Sequence, residues 1–334
     1  MDKNNSSSWR LNLKKKGKKN YDLFVIAPLL KTKKFNSTES IVIFSEARGG
    51  STWLMEMLRD SLDLCINWEP LHPELGAVPK DYSLGNRPFI IENDPNFRYK
   101  ELFKDIFEFK THAFWNRKYL TLTQLIRGKQ VLVKFVRANL LVPYILKNFN
   151  FKYPPIFLLR HPIDVCLSKI RVNHKSLVNT HEMEIPNWLN NDRFVKHKDY
   201  VDKLETRLEK EIAVWCINNA PVLNKLAYYN LHTIFYSDIL IDPKKEMEKL
   251  FINYQIDNYE EKLSKINFRK ASSTNNRKGF GYQSDVTGQL YKNFEALDLE
   301  MKNRIQEIFD YFDLKVFTAY SPLPEKEFLK LHQG

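Results

Sequence analysis

The run Ser45-Glu46-Ala47-Arg48-Gly49-Gly50-Ser51-Thr52-Trp53 gathers two glycines, three hydroxyls and a guanidinium in one short stretch. Gly49 and Gly50 let the backbone turn tightly and approach an anion with no Cβ in the way. A helix starting at Ser51 adds unpaired N–H groups and the positive end of its dipole. Ser51 and Thr52 supply hydroxyl donors and Arg48 a fixed charge, so the whole is a cradle for phosphate or a similar oxyanion. An ordinary strand-to-helix turn capped by Ser51 uses the same residue types. What is missing narrows the chemistry. A nucleoside-triphosphate loop has the form Gly-x-x-x-x-Gly-Lys-Ser/Thr, in which Lys reaches the outer phosphates and Ser/Thr holds magnesium. Here no Lys follows the glycines, the first Gly is absent, and the cation comes before them. A donor that needs no metal fits better than a metal-dependent kinase, and no metal is expected.

Two further blocks carry charge suited to an anion. Leu158-Leu159-Arg160-His161-Pro162-Ile163-Asp164-Val165-Cys166-Leu167-Ser168 ends a strand on Arg160 and puts Ser168 two turns into the next helix, on the same face. Arg277-Lys278-Gly279 sits in a polar loop, followed by Tyr291-Lys292-Asn293-Phe294. In this order the three blocks resemble those of sulfotransferases, which use 3′-phosphoadenosine 5′-phosphosulfate (PAPS) and release the bisphosphate PAP. Ala47 to Leu54 looks like the family's 5′-phosphosulfate loop. Arg160 with Ser168 is similar to its 3′-phosphate motif, and Arg277-Lys278-Gly279 to the loop closing over that phosphate. The resemblance spans about residues 40 to 315, and its motifs are most similar to those of carbohydrate and bacterial members.

The resemblance implies roles. Arg48 takes the place of the loop cation at the 5′-phosphate and bridging oxygen, with the amides of Gly50 and Ser51, the Gly49 turn and the Thr52 hydroxyl completing the cradle. Trp53 stacks on adenine or packs in the core. In-line sulfuryl transfer also needs a base for the acceptor hydroxyl and charge on the moving group. Phenol and steroid members carry Lys-x-His on the strand after the loop, whereas Val133-Lys134-Phe135-Val136-Arg137 keeps Lys134 and has Val136 at the His position. Glycan members have Glu-Pro after the second strand, and Trp68-Glu69-Pro70-Leu71-His72-Pro73 resembles it. Glu69 is therefore the expected base, with His72 and His112 as other candidates and Lys134 as a ligand of the sulfuryl group. The implied acceptor is a hydroxyl of a carbohydrate or glycolipid. A small-molecule kinase and a non-enzymatic protein binding anions or nucleic acid are the alternatives.

These residues need a scaffold that brings distant stretches to one edge. Ile41 to Phe44, Leu64 to Trp68, Val131 to Val136, Ile156 to Leu159 and His232 to Tyr236 read as buried strands. Helices are expected over 51–62, 140–148, 162–172, 204–227, 244–254 and 298–312. Such alternation predicts an α/β fold, a mainly parallel sheet with helices on both faces of P-loop-kinase-like sulfotransferase type, with ligands at the carboxyl ends of the strands. One domain is expected over 39–320, with acceptor-side insertions at about 70–130 and 175–200, a long loop within 70–98, and a tail at 321–334. Residues 1–38 are expected to be a basic, flexible segment.

Composition bounds the rest. The 334 residues are 43% hydrophobic, with 13% aromatic, which excludes a wholly disordered chain. Cys65, Cys166 and Cys216 are too few and too scattered for a disulfide framework, which favours a reducing compartment. No run approaches the roughly 20 apolar residues of a membrane span, and no small-residue cleavage site follows Leu23–Leu30. A soluble, cytoplasmic protein is expected. Of the net charge of +12, residues 1–40 supply seven. Their tract Lys14-Lys15-Lys16-Gly17-Lys18-Lys19 is either a solubilising tail or a weak contact for an anionic membrane; no nucleic acid partner is expected.

Overall fold

Ile41–Ser45 (β1), Leu64–Trp68 (β2) and Ile156–Leu159 (β4) are buried at every position, as strands covered on both faces must be. With Gln130–Val136 (β3) and His232–Phe235 (β5) they form an all-parallel sheet in the order β2-β3-β1-β4-β5. The computed structural model describes residues 16–82, 84–85, 87–172, 178–179, 182–183, 192–270, 272–273 and 286–325. Arg277, Lys278 and Gly279 lie outside the described residues.

Alternate residues of each strand enter separate cores. Ile41 and Ile43 join Leu54, Met55, Met57 and Leu58 of the helix Ser51–Ser61 (α2) and Met247, Leu250 and Phe251 of Pro243–Asn253. Val42 and Phe44 face a larger core that includes Leu102, Phe103, Ile106 and Phe107 of Phe97–Phe107 (α3) and much of Arg207–Leu223. The helix Pro162–Arg171 (α4) follows β4 on this second side through Ile163, Val165 and Cys166. Helices thus cover both faces, as expected. The order puts β1 between β3 and β4, so the chain leaves β1 and β4 toward opposite edges; ligands in open α/β sheets bind at such a reversal.

Three features depart from the expectations. The packed fold already includes residues well before Glu39. A π-type turn at Asp22–Ile26 leads into Ala27–Thr32 (α1), Ile26, Leu30 and Phe35 are buried in the larger core, and Asp22 pairs with Arg117 at 2.6 Å. The polar stretch before Glu39 joins this helix to β1 and does not mark the start of the fold. Second, the 70–130 region carries two helices, α3 and Leu122–Arg127, the latter closed by a capping box between Thr121 and Gln124. Third, a helix Asp192–Lys203 occupies the end of the stretch expected as an insertion, ahead of the helix expected over 204–227, which runs Arg207–Leu223 behind a capping box between Thr206 and Glu209. Among the described residues, no helix is long and apolar enough to cross a membrane.

Candidate functional site

The loop after β1 is shaped by contacts that leave no room for side chains. A Cβ on Gly49 would lie 2.4 Å from Ser45 Oγ; one on Gly50 would lie 2.4 Å from the Tyr236 ring, and Gly50 has φ +95°. Gly50 is the N-cap of α2 and offers no side-chain cap, and no bond to another described residue occupies the amides of Gly50, Ser51 and Thr52. Free amides at a helix start are able to receive an anion, the role expected of this run. Beneath it, Glu46 is buried between Arg87 Nη1 at 2.7 Å and Lys169 Nζ at 3.2 Å, both also buried. Burial pushes the Glu46 carboxyl up, but the two cations outweigh it and hold it at about 2.

Arg48, Arg160 and Ser168 converge. Arg48 Nε donates to Ser168 Oγ at 3.1 Å, and Arg160 Nη1 donates to the Arg48 carbonyl at 3.2 Å. Arg160 also pairs with Asp164 at 3.5 Å and lies over the Tyr236 ring, 4.5 Å from its centroid. Arg48 itself has a left-handed backbone, φ 70°, which strains a residue with a Cβ. Burial, then the charges of Arg160 and Arg171, press the Arg48 guanidinium below the usual arginine value. Like charges crowded around one hydroxyl are stabilised by an anion between them. Trp53 meets Tyr236 edge to face at 6.2 Å beside this cluster, so an aromatic pair flanks the loop as well as packing on the core.

On the other side of the loop, Lys134 Nζ bridges two of the expected residues. It donates to Thr52 Oγ1 at 3.2 Å and to Glu69 Oε1 at 2.9 Å. The sheet register makes this contact: Trp68 is the partner of Lys134, and Glu69 N donates to the Lys134 carbonyl at 2.9 Å. Lys134 is 2% exposed and Glu69 15%. Burial pushes the Lys134 ammonium below the ordinary lysine value, with the Glu69 charge working the other way. Glu69, too, is left-handed, φ 49°.

The two histidines fare differently from Glu69. His72 Nδ1 accepts from the amides of Glu74 and Leu75, at 3.3 and 3.2 Å. The ring proton is thereby left on Nε2, and no free lone pair remains to take a proton. His112 Nδ1 lies 2.6 Å from Arg117 Nη1, and the charges acting on the ring are those of Arg117, Lys31 and Asp22. It sits beside the N-terminal segment, and no hydrogen bond or ion pair joins it to the Arg48 loop among the described residues.

Several residues of the site were not singled out in the sequence. Arg87 and Lys169 carry no motif; only the fold shows that they clamp Glu46. Trp68, Trp115 and Tyr119 form a wall beside Glu69, with ring centroids 4.6 and 5.0 Å from Trp68, and Lys118 Nζ lies 4.6 Å over Trp68. The spacing Trp115-Tyr119 beside a cation was the available signal. Arg137, directly after β3, is left-handed at φ 67°. Two clefts of about 710 and 540 Å³ share no residue with this site.

No protein-family model and no curated protein matches the sequence. Two solved structures are similar to the chain. The sulfotransferase domain from the curacin biosynthetic pathway is 17% identical, with a TM-score of 0.45 over 82% of this chain and 97% of that one. The sulfotransferase domain from the Synechococcus PCC 7002 olefin synthase is 13% identical, with a TM-score of 0.44 over 84% and 96%. Likeness at this level concerns the course of the chain and says nothing of what its residues do.

Proposed function

We propose that the protein is a sulfotransferase that moves a sulfuryl group from PAPS to a hydroxyl of a carbohydrate or glycolipid acceptor. The observation that carries this reading is the convergence of Arg48, Arg160 and Ser168 beside the bare amides of Gly50, Ser51 and Thr52. PAPS is an anion at both ends of one nucleoside, and the residues present fit it: amides and Arg48 for the 5′ end, Arg160 and Ser168 for the 3′-phosphate. Trp53 and Tyr236 offer rings for the adenine between them. The donor supplies an activated sulfuryl group with a phosphate leaving group; binding, orientation and proton handling belong to the chain.

Glu69 holds the acceptor hydroxyl and takes its proton. Lys134 keeps that carboxylate oriented and ties it to Thr52, so that base and donor loop stay in register. Its ammonium, held out of water, stabilises negative charge moving past it far better than an exposed lysine would. Arg48 meets the charge that develops on the leaving phosphate. The aromatic wall of Trp68, Trp115 and Tyr119 suits the apolar face of a sugar ring.

Incubation with sulfate-labelled PAPS and a panel of sugars, glycolipids and phenols tests this directly. Label is expected on a sugar hydroxyl without added metal. Transfer from labelled ATP with magnesium, and none from PAPS, would instead make the protein a kinase.

A further inference from the structure

Arg137 follows β3 directly, and its N–H donates to the Ser45 carbonyl at 3.1 Å, which pins it between the ends of β1 and β2. It holds a left-handed backbone that arginine does not favour. With Arg48 and Glu69 it is one of three such residues at the carboxyl edge of neighbouring strands. The side chain is partly buried, and no hydrogen bond or ion pair joins its guanidinium to another described residue. The carboxylates near it are already engaged. Glu69 is bonded to Lys134, and Glu46 to Arg87 and Lys169. Arg137 is therefore a surplus cation on the Glu69 side of the site. The charges acting on its guanidinium are those of Glu69, Arg87 and Glu46, and it in turn disfavours a charged His72. The charges acting on Arg48 are instead those of Arg160, Tyr236 and Arg171. The site thus holds two cationic groups, and the second lies on the side of the base. A partly buried guanidinium without a partner gains when a ligand completes it, and its planar fork matches a carboxylate. Lys118, over Trp68 on the same side, adds to the positive field.

We infer that the acceptor carries a carboxylate beside the hydroxyl that is modified, and that Arg137 binds it. This rests on the transferase reading and narrows its acceptor to a hydroxylated acid, such as a uronic-acid sugar. Lodged against the aromatic wall, such a molecule would be held at its acid end by Arg137 and would offer its hydroxyl to Glu69. The sulfuryl group in transit is the other anion that could use Arg137, and the two uses separate experimentally.

The test compares matched acceptors with PAPS: methyl β-D-glucuronide with methyl β-D-glucoside, and 4-hydroxyphenylacetate with 4-hydroxyphenylethanol. PAP affinity is measured alongside by calorimetry. The wild type is expected to prefer the acid of each pair by about tenfold or more in kcat/KM, the worth of one charge-assisted bond. Arg137→Gln should remove that preference through KM of the acids, leaving the neutral acceptors and PAP affinity within about threefold, and Arg137→Lys should restore part of it. No preference in the wild type, a preference that survives in Arg137→Gln, or no transfer to any of the four overturns the inference while PAP binding stands. An equal loss of kcat on all acceptors assigns Arg137 to the sulfuryl group and overturns it as well. Absence of PAP binding removes the transferase reading first, and this inference with it.

Discussion

Glu69 carries the heaviest chemical assignment, and its surroundings make that assignment testable. Its carboxylate touches Lys134 and not the Arg48–Arg160–Ser168 cluster, so proton transfer and donor binding should separate on mutation. Glu69→Gln keeps the shape and an acceptor oxygen for Lys134 but removes the proposed base. Turnover should fall by about 10² to 10⁴, with PAP affinity little changed; steady-state kinetics with calorimetry checks both. At this scale the loop after β1 and the pairing of Arg160 with Ser168 at one edge were legible, because Gly49-Gly50-Ser51 and the Arg160–Ser168 spacing are local patterns. Arg137, Arg87 and Trp115 were not. Each acts on a partner far along the chain, and only the strand order brings them to one edge.

The elements around the loop are tied together by one buried cluster. Glu46, between Arg87 of the 87–92 segment and Lys169 of α4, fixes where the loop leaves β1 and where Ser168 stands next to it. Glu46→Gln leaves two buried cations without a counter-charge and should destabilise the fold by about 3–5 kcal/mol. The pH dependence has a definite sign. The Glu46 carboxyl is held at about 2 in the folded chain, below its ordinary 4.5, so its stabilisation is complete above about pH 4.5. It is lost as the pH falls through that value toward 2. Denaturant unfolding of Glu46→Gln should show a flatter acid limb across that window than the wild type. The strands themselves were readable, since a strand covered on both faces is an unbroken apolar run. α3 was passed over although Asn96 caps it and Leu102, Phe103, Ile106 and Phe107 follow helical spacing; the Pro- and Asn-rich stretch before it masked the change of period.

At the scale of the whole molecule, the N-terminal helix belongs to the fold. Ile26, Leu30 and Phe35 contribute to the larger core, and the Asp22–Arg117 pair lies within it, with side chains 10% and 7% exposed. Deleting residues 1–36 should therefore cost several kcal/mol and lower the melting temperature, since burial of each such side chain is worth about 1.5–3 kcal/mol. A polar, lysine-rich beginning hid this, because charge density argues for solvation while a few spaced apolar residues suffice to dock a helix. Calorimetric melting of the truncated chain checks it. On the proposed reading, Arg48 and Arg160 grip one molecule from opposite elements. The most direct measurement is calorimetric titration of the full chain with PAP. One PAP per chain is expected to bind, at least about tenfold more weakly to Arg160→Ala, which loses a charge-assisted partner of the 3′-phosphate. No binding to the wild type, or equal affinity in the variant, would contradict it.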